Sequence, residues 1–148
     1  MRLNYLIFGI LLFGCTGKHT STSDESIVIH YMRPYVSTPF SYPCGMISKE
    51  VLKDDIHIKE FSDSIVIKEF LDIYKKYERD VELEGGIDTR IKVIINTKNI
   101  NDTLCLAENF TSVINGKKVK HNKEMLDYIK MLIDYENTPR PKFPKVNN

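Results

Sequence analysis

The chain has 148 residues, with 21 basic and 20 acidic side chains, a formal net charge of +1 and no tryptophan. A near-neutral balance with no separate Lys/Arg stripe excludes the counterion-displacing surface that nucleic-acid binding needs. The length suits one domain around one modest core.

Met1 and Arg2 precede the uncharged run Leu6-Ile7-Phe8-Gly9-Ile10-Leu11-Leu12-Phe13-Gly14, and the next charge is Lys18. A cation followed by a short apolar stretch has the form of an export signal, because a bilayer span takes about 20 predominantly apolar residues. Leu12-Phe13-Gly14-Cys15 sets a small residue directly before a cysteine at the end of that run. This resembles the lipobox of bacterial lipoproteins, with Phe13 where a smaller residue is usual, and the resemblance covers only these first residues. It implies cleavage before Cys15 by a dedicated signal peptidase, a diacylglyceryl group on the Cys15 thiol and, as a rule, acylation of the new amino group by a fatty acid such as palmitate. Two or more chains give a durable anchor where one binds marginally, each buried methylene contributing about 0.8 kcal/mol. The expectation is a signal peptide over 1–14, a lipidated flexible tether over 15–26, a membrane as first partner, and a place in the cell envelope on a periplasmic or outer-membrane face. Losing Arg2 with the leader lowers the basic count from 21 to 20, equal to the acidic count.

Residues 16–26 hold nothing able to join a core and read as linker. Ser26-Ile27-Val28-Ile29-His30-Tyr31 is short and β-branched, a first strand. From Met32 to Met46 the chain carries Pro34, Pro39, Pro43 and Gly45, which excludes regular helix or central strand and predicts an extended, turn-punctuated segment. Residues 47–53 fit a short helix. Asp55 to Phe61 alternates as a half-buried strand with Ile56 and Ile58 toward the core. Ser62 or Asp63 can cap a helix on which Val66, Phe70, Ile73 and Tyr77 recur at helical spacing, with Ile67, Leu71 and Tyr74 in the neighbouring stripe. After a Gly85-Gly86 turn, Arg90 to Asn96 reads as a central strand, Asn99 to Asp102 as a turn and Thr103 to Ala107 as the antiparallel partner. Asn115-Gly116 between Thr111-Ser112-Val113-Ile114 and Lys117-Lys118-Val119 is a strong hairpin signal, since a type I′ turn needs positive φ at both corners. Asn122 can cap a last helix lined by Met125, Leu126, Ile129, Leu132 and Ile133, and 137–148 is a Pro-rich tail. The pattern predicts a single α+β domain over 27–136: a small, mainly antiparallel sheet of about four to five strands with two helices packed on one face.

No constellation of residues amounts to an active site, and no catalytic residue is named. Four histidines are scattered, no pair of ligating side chains has the close spacing of a zinc site, and neither a metal nor another cofactor is expected. With Cys15 committed to lipid, Cys44 and Cys105 form an even pair in a disulfide-permissive compartment, although Cys105 in mid-strand also fits a small buried hydrophobe. Two functions of different class remain. The first is a non-enzymatic binding or accessory module, with an envelope protein or a ligand as partner. Its surface would be the Tyr31 to Met46 segment, which gathers Tyr31, Arg33, Tyr35, Phe40 and Tyr42, residue types common at binding hot spots, or the hairpin at Asn115-Gly116. The plainer reading of the same aromatics is that they lie across the sheet and close a small core. The alternative function is a small thiol enzyme or hydrolase using Cys44, which requires a base within hydrogen-bond reach.

Overall fold

A computed structural model describes residues 25–78, 87–107 and 111–139. The leader, Cys15, the tether up to residue 24, the Gly85-Gly86 turn and the tail from 140 lie outside the described residues.

The β-branched runs form six strands: β1 (Ser26–Met32), β2 (Ile56–Phe61), β3 (Ile91–Asn96), β4 (Asn101–Leu106), β5 (Thr111–Ile114) and β6 (Lys117–Lys120). They make one antiparallel sheet in the order β2-β1-β3-β4-β5-β6. The count exceeds the expected four to five because both short arms of the last hairpin pair in register. Asn115 and Gly116 turn that hairpin with φ of 49° and 80°, the backbone that the Asn-Gly pair predicts. The β3–β4 turn sits earlier than expected, at Thr97 to Ile100. Thr97 N donates to the Ile100 carbonyl at 2.8 Å and Ile100 N donates to Thr97 Oγ1 at 3.1 Å, so the threonine closes the turn and releases Asn101 and Asp102 to pair with Asn96 and Ile95.

Helices α2 (Ser64–Tyr74) and α3 (Lys123–Ile133) cover one face of the sheet. Asp63 caps α2, its carboxylate accepting from Ile65 N at 2.8 Å and Val66 N at 3.1 Å. Asn122 caps α3 by accepting from Met125 N at 3.1 Å. Each cap satisfies donors that a first turn leaves open, worth about 1 kcal/mol. The buried seam of α2 runs through Ile67, Phe70 and Tyr74 and continues to Tyr77, while Val66, Leu71 and Ile73 flank it half-buried. That seam meets Ile27, Ile29, Ile91, Val93, Ile95, Leu104 and Leu106 from the sheet and Met125, Leu126, Ile129 and Ile133 from α3.

The opposite face is covered in part by the segment between β1 and β2. The expected helix over 47–53 shrinks to one turn, α1 (Lys49–Leu52), between 3₁₀ turns at Cys44–Met46 and Lys53–Asp55. Lys53, with φ 48° and ψ −112°, stops it. Met32, Ile47 and Ile56 form a second, smaller core there, joined by Val36, Tyr42 and Leu52.

Strand β2 corrects the alternation read from sequence. Its partners in β1 fix the faces: Ile27, Ile29 and Tyr31, which point at the helices, oppose Phe61, Lys59 and His57. Ile56 therefore buries on the far face and Ile58 stays 43% exposed, whereas His57 and Lys59 look toward the helices. Period-2 alternation shows that a strand has two faces and cannot say which face the helices will cover.

Candidate functional site

Met32 ends β1, and from there the Pro-rich segment is fastened at three places. Cys44 is disulfide-bonded to Cys105, with a Cα–Cα distance of 5.8 Å, inside the range such a bond requires. Cys105 is fully buried in β4, on the face opposite the helices. The second fastening is Arg90, whose side chain is 11% exposed. Its Nη2 lies 2.5 Å from Asp88 Oδ2 and 3.0 Å from Thr38 Oγ1, and its Nη1 donates to the Val36 carbonyl at 3.1 Å. The third is a pair of backbone links: Tyr42 N donates to Asp88 Oδ1 at 3.0 Å, and Thr89 N donates to the Tyr42 carbonyl at 2.8 Å. One guanidinium thus ties two acceptors of the loop, Val36 and Thr38, to the Asp88 carboxylate beside β3, a geometry that a planar five-donor fork allows.

The five candidate residues of this segment divide. Tyr31 is buried on the helix face, its ring stacked on His57 at 5.4 Å and 6.3 Å from that of Tyr135. Tyr42 packs on the small core with Phe40 edge-on to it at 5.0 Å. These two positions follow the plainer reading in which aromatics help close the fold. Tyr35 and Phe40 do not, being 85% and 55% exposed, and Arg33 is half-buried.

Arg33, Pro34 and Tyr35 form one wall of a cleft of about 430 Å³ whose other wall is Glu136 and Thr138. Tyr35 Oη donates to Glu136 Oε2 at 2.9 Å. Tyr35 holds φ of 59°, a left-handed conformation that costs a side-chain-bearing residue about 1–2 kcal/mol. Pro34 presets the preceding corner of the turn, so the strain is stored where the aromatic ring is presented. Glu136 belongs to a 3₁₀ turn, Tyr135–Asn137, that follows α3 after a left-handed Asp134, so the packed part of the chain reaches Thr138, whose Oγ1 donates to the Tyr135 carbonyl at 2.7 Å. Nothing in the tail's proline content announced that turn. The Arg90–Asp88 clamp likewise carried no sequence signal, since neither residue stands in a motif.

Burial sets the electrostatics of the stacked Tyr31 and His57 rings. It lowers the pKa of His57 from 6.5, helped by the charge of Arg33 and opposed by Asp55. It raises that of Tyr31 above 10, with the Thr138 hydroxyl pulling the other way. Both shifts favour the uncharged form of each ring, in keeping with their stacking against one another.

Chemistry at Cys44 fares poorly in this form. The sulfur is held in the disulfide and offers no thiolate. His30 lies two strands from Cys105 across Lys92, about 10 Å in the strand-to-strand direction. Burial and Lys92 also lower the pKa of His30. Among the described residues no three His, Cys, Asp or Glu side chains gather closely enough to hold a metal ion, and no helix is long and apolar enough to cross a membrane. At the hairpin, the Asn115 side chain is spent on structure, accepting from Thr103 N at 2.8 Å and donating to Asp102 Oδ1 at 2.5 Å.

Compared with protein-family models, curated proteins and solved structures, the chain matches none. The class that fold and surface define is therefore architectural: an α+β domain whose antiparallel sheet carries two helices on one face and a disulfide-tied, aromatic-bearing loop on the other.

Proposed function

We propose that the chain is a cell-envelope lipoprotein, anchored by acyl chains on Cys15, whose α+β head is a binding or accessory module and not an enzyme. The surface that engages the partner, an envelope protein, is the Arg33–Phe40 part of the Pro-rich segment together with the cleft behind it. One observation supports this above the rest: a loop fastened by a disulfide and by Arg90 nevertheless leaves the Tyr35 and Phe40 rings in solvent. A fold that needed those rings for its core would have covered them. Holding them in place beforehand removes part of the ordering cost that a mobile loop would meet on binding, and tyrosine and arginine are both enriched at hot spots.

Two measurements test the proposal. Mass spectrometry of the matured chain is expected to find Cys15 as an acylated N-terminal residue; an unmodified thiol, or a retained leader, removes the anchor. Affinity capture from envelope extracts with the lipidated chain is expected to recover a partner that a Tyr35→Ala/Phe40→Ala variant loses, and an unchanged set of captured proteins clears the loop of the role.

A further inference from the structure

The described residues include two arginines, Arg33 and Arg90, in unlike surroundings. Arg90 spends its guanidinium on Asp88, Thr38 and the Val36 carbonyl. Arg33 is half-buried on one wall of the cleft, and among the described residues its guanidinium meets neither an acceptor nor an acid. The carboxylates nearby are engaged otherwise. Asp134 Oδ1 accepts from Asn137 Nδ2 at 2.8 Å, and Glu136 Oε2 accepts from the Tyr35 hydroxyl at 2.9 Å. Asp55 acts on His57 and forms no ion pair among the described residues. The charge of Arg33 is accordingly felt beyond its own position, since it helps to lower the pKa of His57. Arg33 and Glu136 thus stand on opposite walls of one cleft, opposite in charge and not joined. Arg33 has its donors open, and Glu136 Oε1 meets no donor among the described residues. A guanidinium drawn partly out of water without an acceptor costs free energy that direct pairing would return. Tyr35, in its left-handed conformation, takes Glu136 instead.

We infer, on the binding reading above, that the cleft receives one side-chain carboxylate on Arg33, from a glutamate or aspartate in a segment of the partner protein, while the main chain that carries it donates an N–H to Glu136 Oε1. A planar fork of donors suits a carboxylate, which it can grip through two parallel hydrogen bonds. Glu136 on the other wall repels a second negative group, so a phosphate fits worse than a single carboxylate with N–H donors beside it. At about 430 Å³ the cleft has the volume of a small-ligand site, room for a side chain together with its own main chain. The exposed Tyr35 and Phe40 rings of the same loop then offer apolar contact to the residues on either side of the acid.

The test is an NMR titration of the full lipidated chain, isotope-labelled and held in detergent micelles, with three small probes. These are N-acetylglutamate N-methylamide, its glutamine counterpart, and N-acetylalanine, whose carboxylate sits at the chain end. The glutamate probe is expected to shift the Arg33 Nε–H and Thr138 amide signals saturably at millimolar concentration, and the glutamine probe to bind roughly tenfold more weakly. Arg33→Gln should weaken the glutamate probe by a similar factor and Arg33→Lys should recover only part of the loss, with unchanged β3 amide signals showing that each variant is folded. Equal shifts from the glutamate and glutamine probes, no shift from either, or tighter binding of N-acetylalanine than of the glutamate probe each overturns the assignment. Affinity capture from envelope extracts separates it from the binding reading. A partner lost by the Tyr35→Ala/Phe40→Ala variant yet kept in full by Arg33→Gln overturns the carboxylate at Arg33 and leaves the binding surface standing, whereas a partner kept by both variants overturns both.

Discussion

Replacing Cys44 and Cys105 together by alanine is expected to remove about 4 kcal/mol of stability and to loosen one part of the molecule first. The bond closes a separation of 61 residues. On the chain-entropy relation, a constant of 2.1 plus 1.5R times the logarithm of that length gives about 14 cal/mol/K, or about 4 kcal/mol at 25 °C. Small domains hold only about 5–15 kcal/mol in all, so the loss is a large share of what this fold has. It also falls unevenly, because the helix-side core, with Phe70, Val93 and Ile129 fully buried, keeps its packing without the bond. The segment over 33–55 loses its covalent tie to β4 and retains the Arg90 clamp and the small Met32–Ile47–Ile56 core. Urea denaturation of both forms gives the free energy, with the slope checked for a change in the denatured state. Native-state hydrogen exchange then reads the locality: the amides of Ile47 and Ser48, which bond to Cys44 and Met46 carbonyls, are expected to lose protection well before those of β3. A loss below about 1 kcal/mol, with Ile47 and Ser48 still protected, would refute the view that the disulfide is what fastens this loop.

Three further outcomes follow from the same structure. Arg90→Ala strands a partly buried Asp88 carboxylate and frees the Val36 carbonyl and Thr38 hydroxyl, so denaturation should show a loss of about 3 kcal/mol; Arg90→Lys should recover little of it, and full recovery would dismiss the guanidinium's forked geometry as its cause. Lys53→Gly relieves a side chain held at φ 48° and should raise stability by up to about 1 kcal/mol, whereas a clear loss would mean the lysine side chain makes a contribution larger than its strain. His30, His57 and His121 all have pKa values lowered from 6.5, with burial as the main cause. The unfolded chain therefore protonates first, and stability that is full above pH 6.5 falls as the pH drops through the lower folded values; stability that rises as the pH is lowered from neutral to about 5 would contradict that sign, and His57→Gln should flatten the slope.

Strong periodicity was readable without coordinates. The β-branched runs of β1 and β3, the Asn-Gly hairpin and the Asn122-capped α3 all combine a pattern, a boundary signal and a propensity that agree. What sequence could not supply were the choices made between elements. The alternation of β2 was visible, yet its orientation depended on pairing with β1, and so His57 and Lys59 ended up facing the helices. The Thr97 side chain moved a turn that Asn99 to Asp102 advertised. At the candidate surface, residue type drew attention to Tyr31, Arg33, Tyr35, Phe40 and Tyr42 alike, but burial divided them, and the opposite wall of the cleft came from Glu136 and Thr138, with 101 positions between Tyr35 and the glutamate it bonds. Long-range partners of that kind leave no local trace.

Lys59 has a consequence beyond its own hydrogen bond. Strand β2 lies at an edge of the sheet, and an open edge offers a row of unpaired backbone groups onto which a neighbouring molecule can zip. Here the edge carries an ammonium group on its core-facing side, reaching the Ile133 carbonyl at the end of α3 at 2.8 Å. A second strand laid alongside would crowd that charge and its escape into water, which makes runaway edge-to-edge growth unfavourable. A charged guard on that edge lets molecules of this fold remain separate individuals at concentrations where an open edge would chain them together.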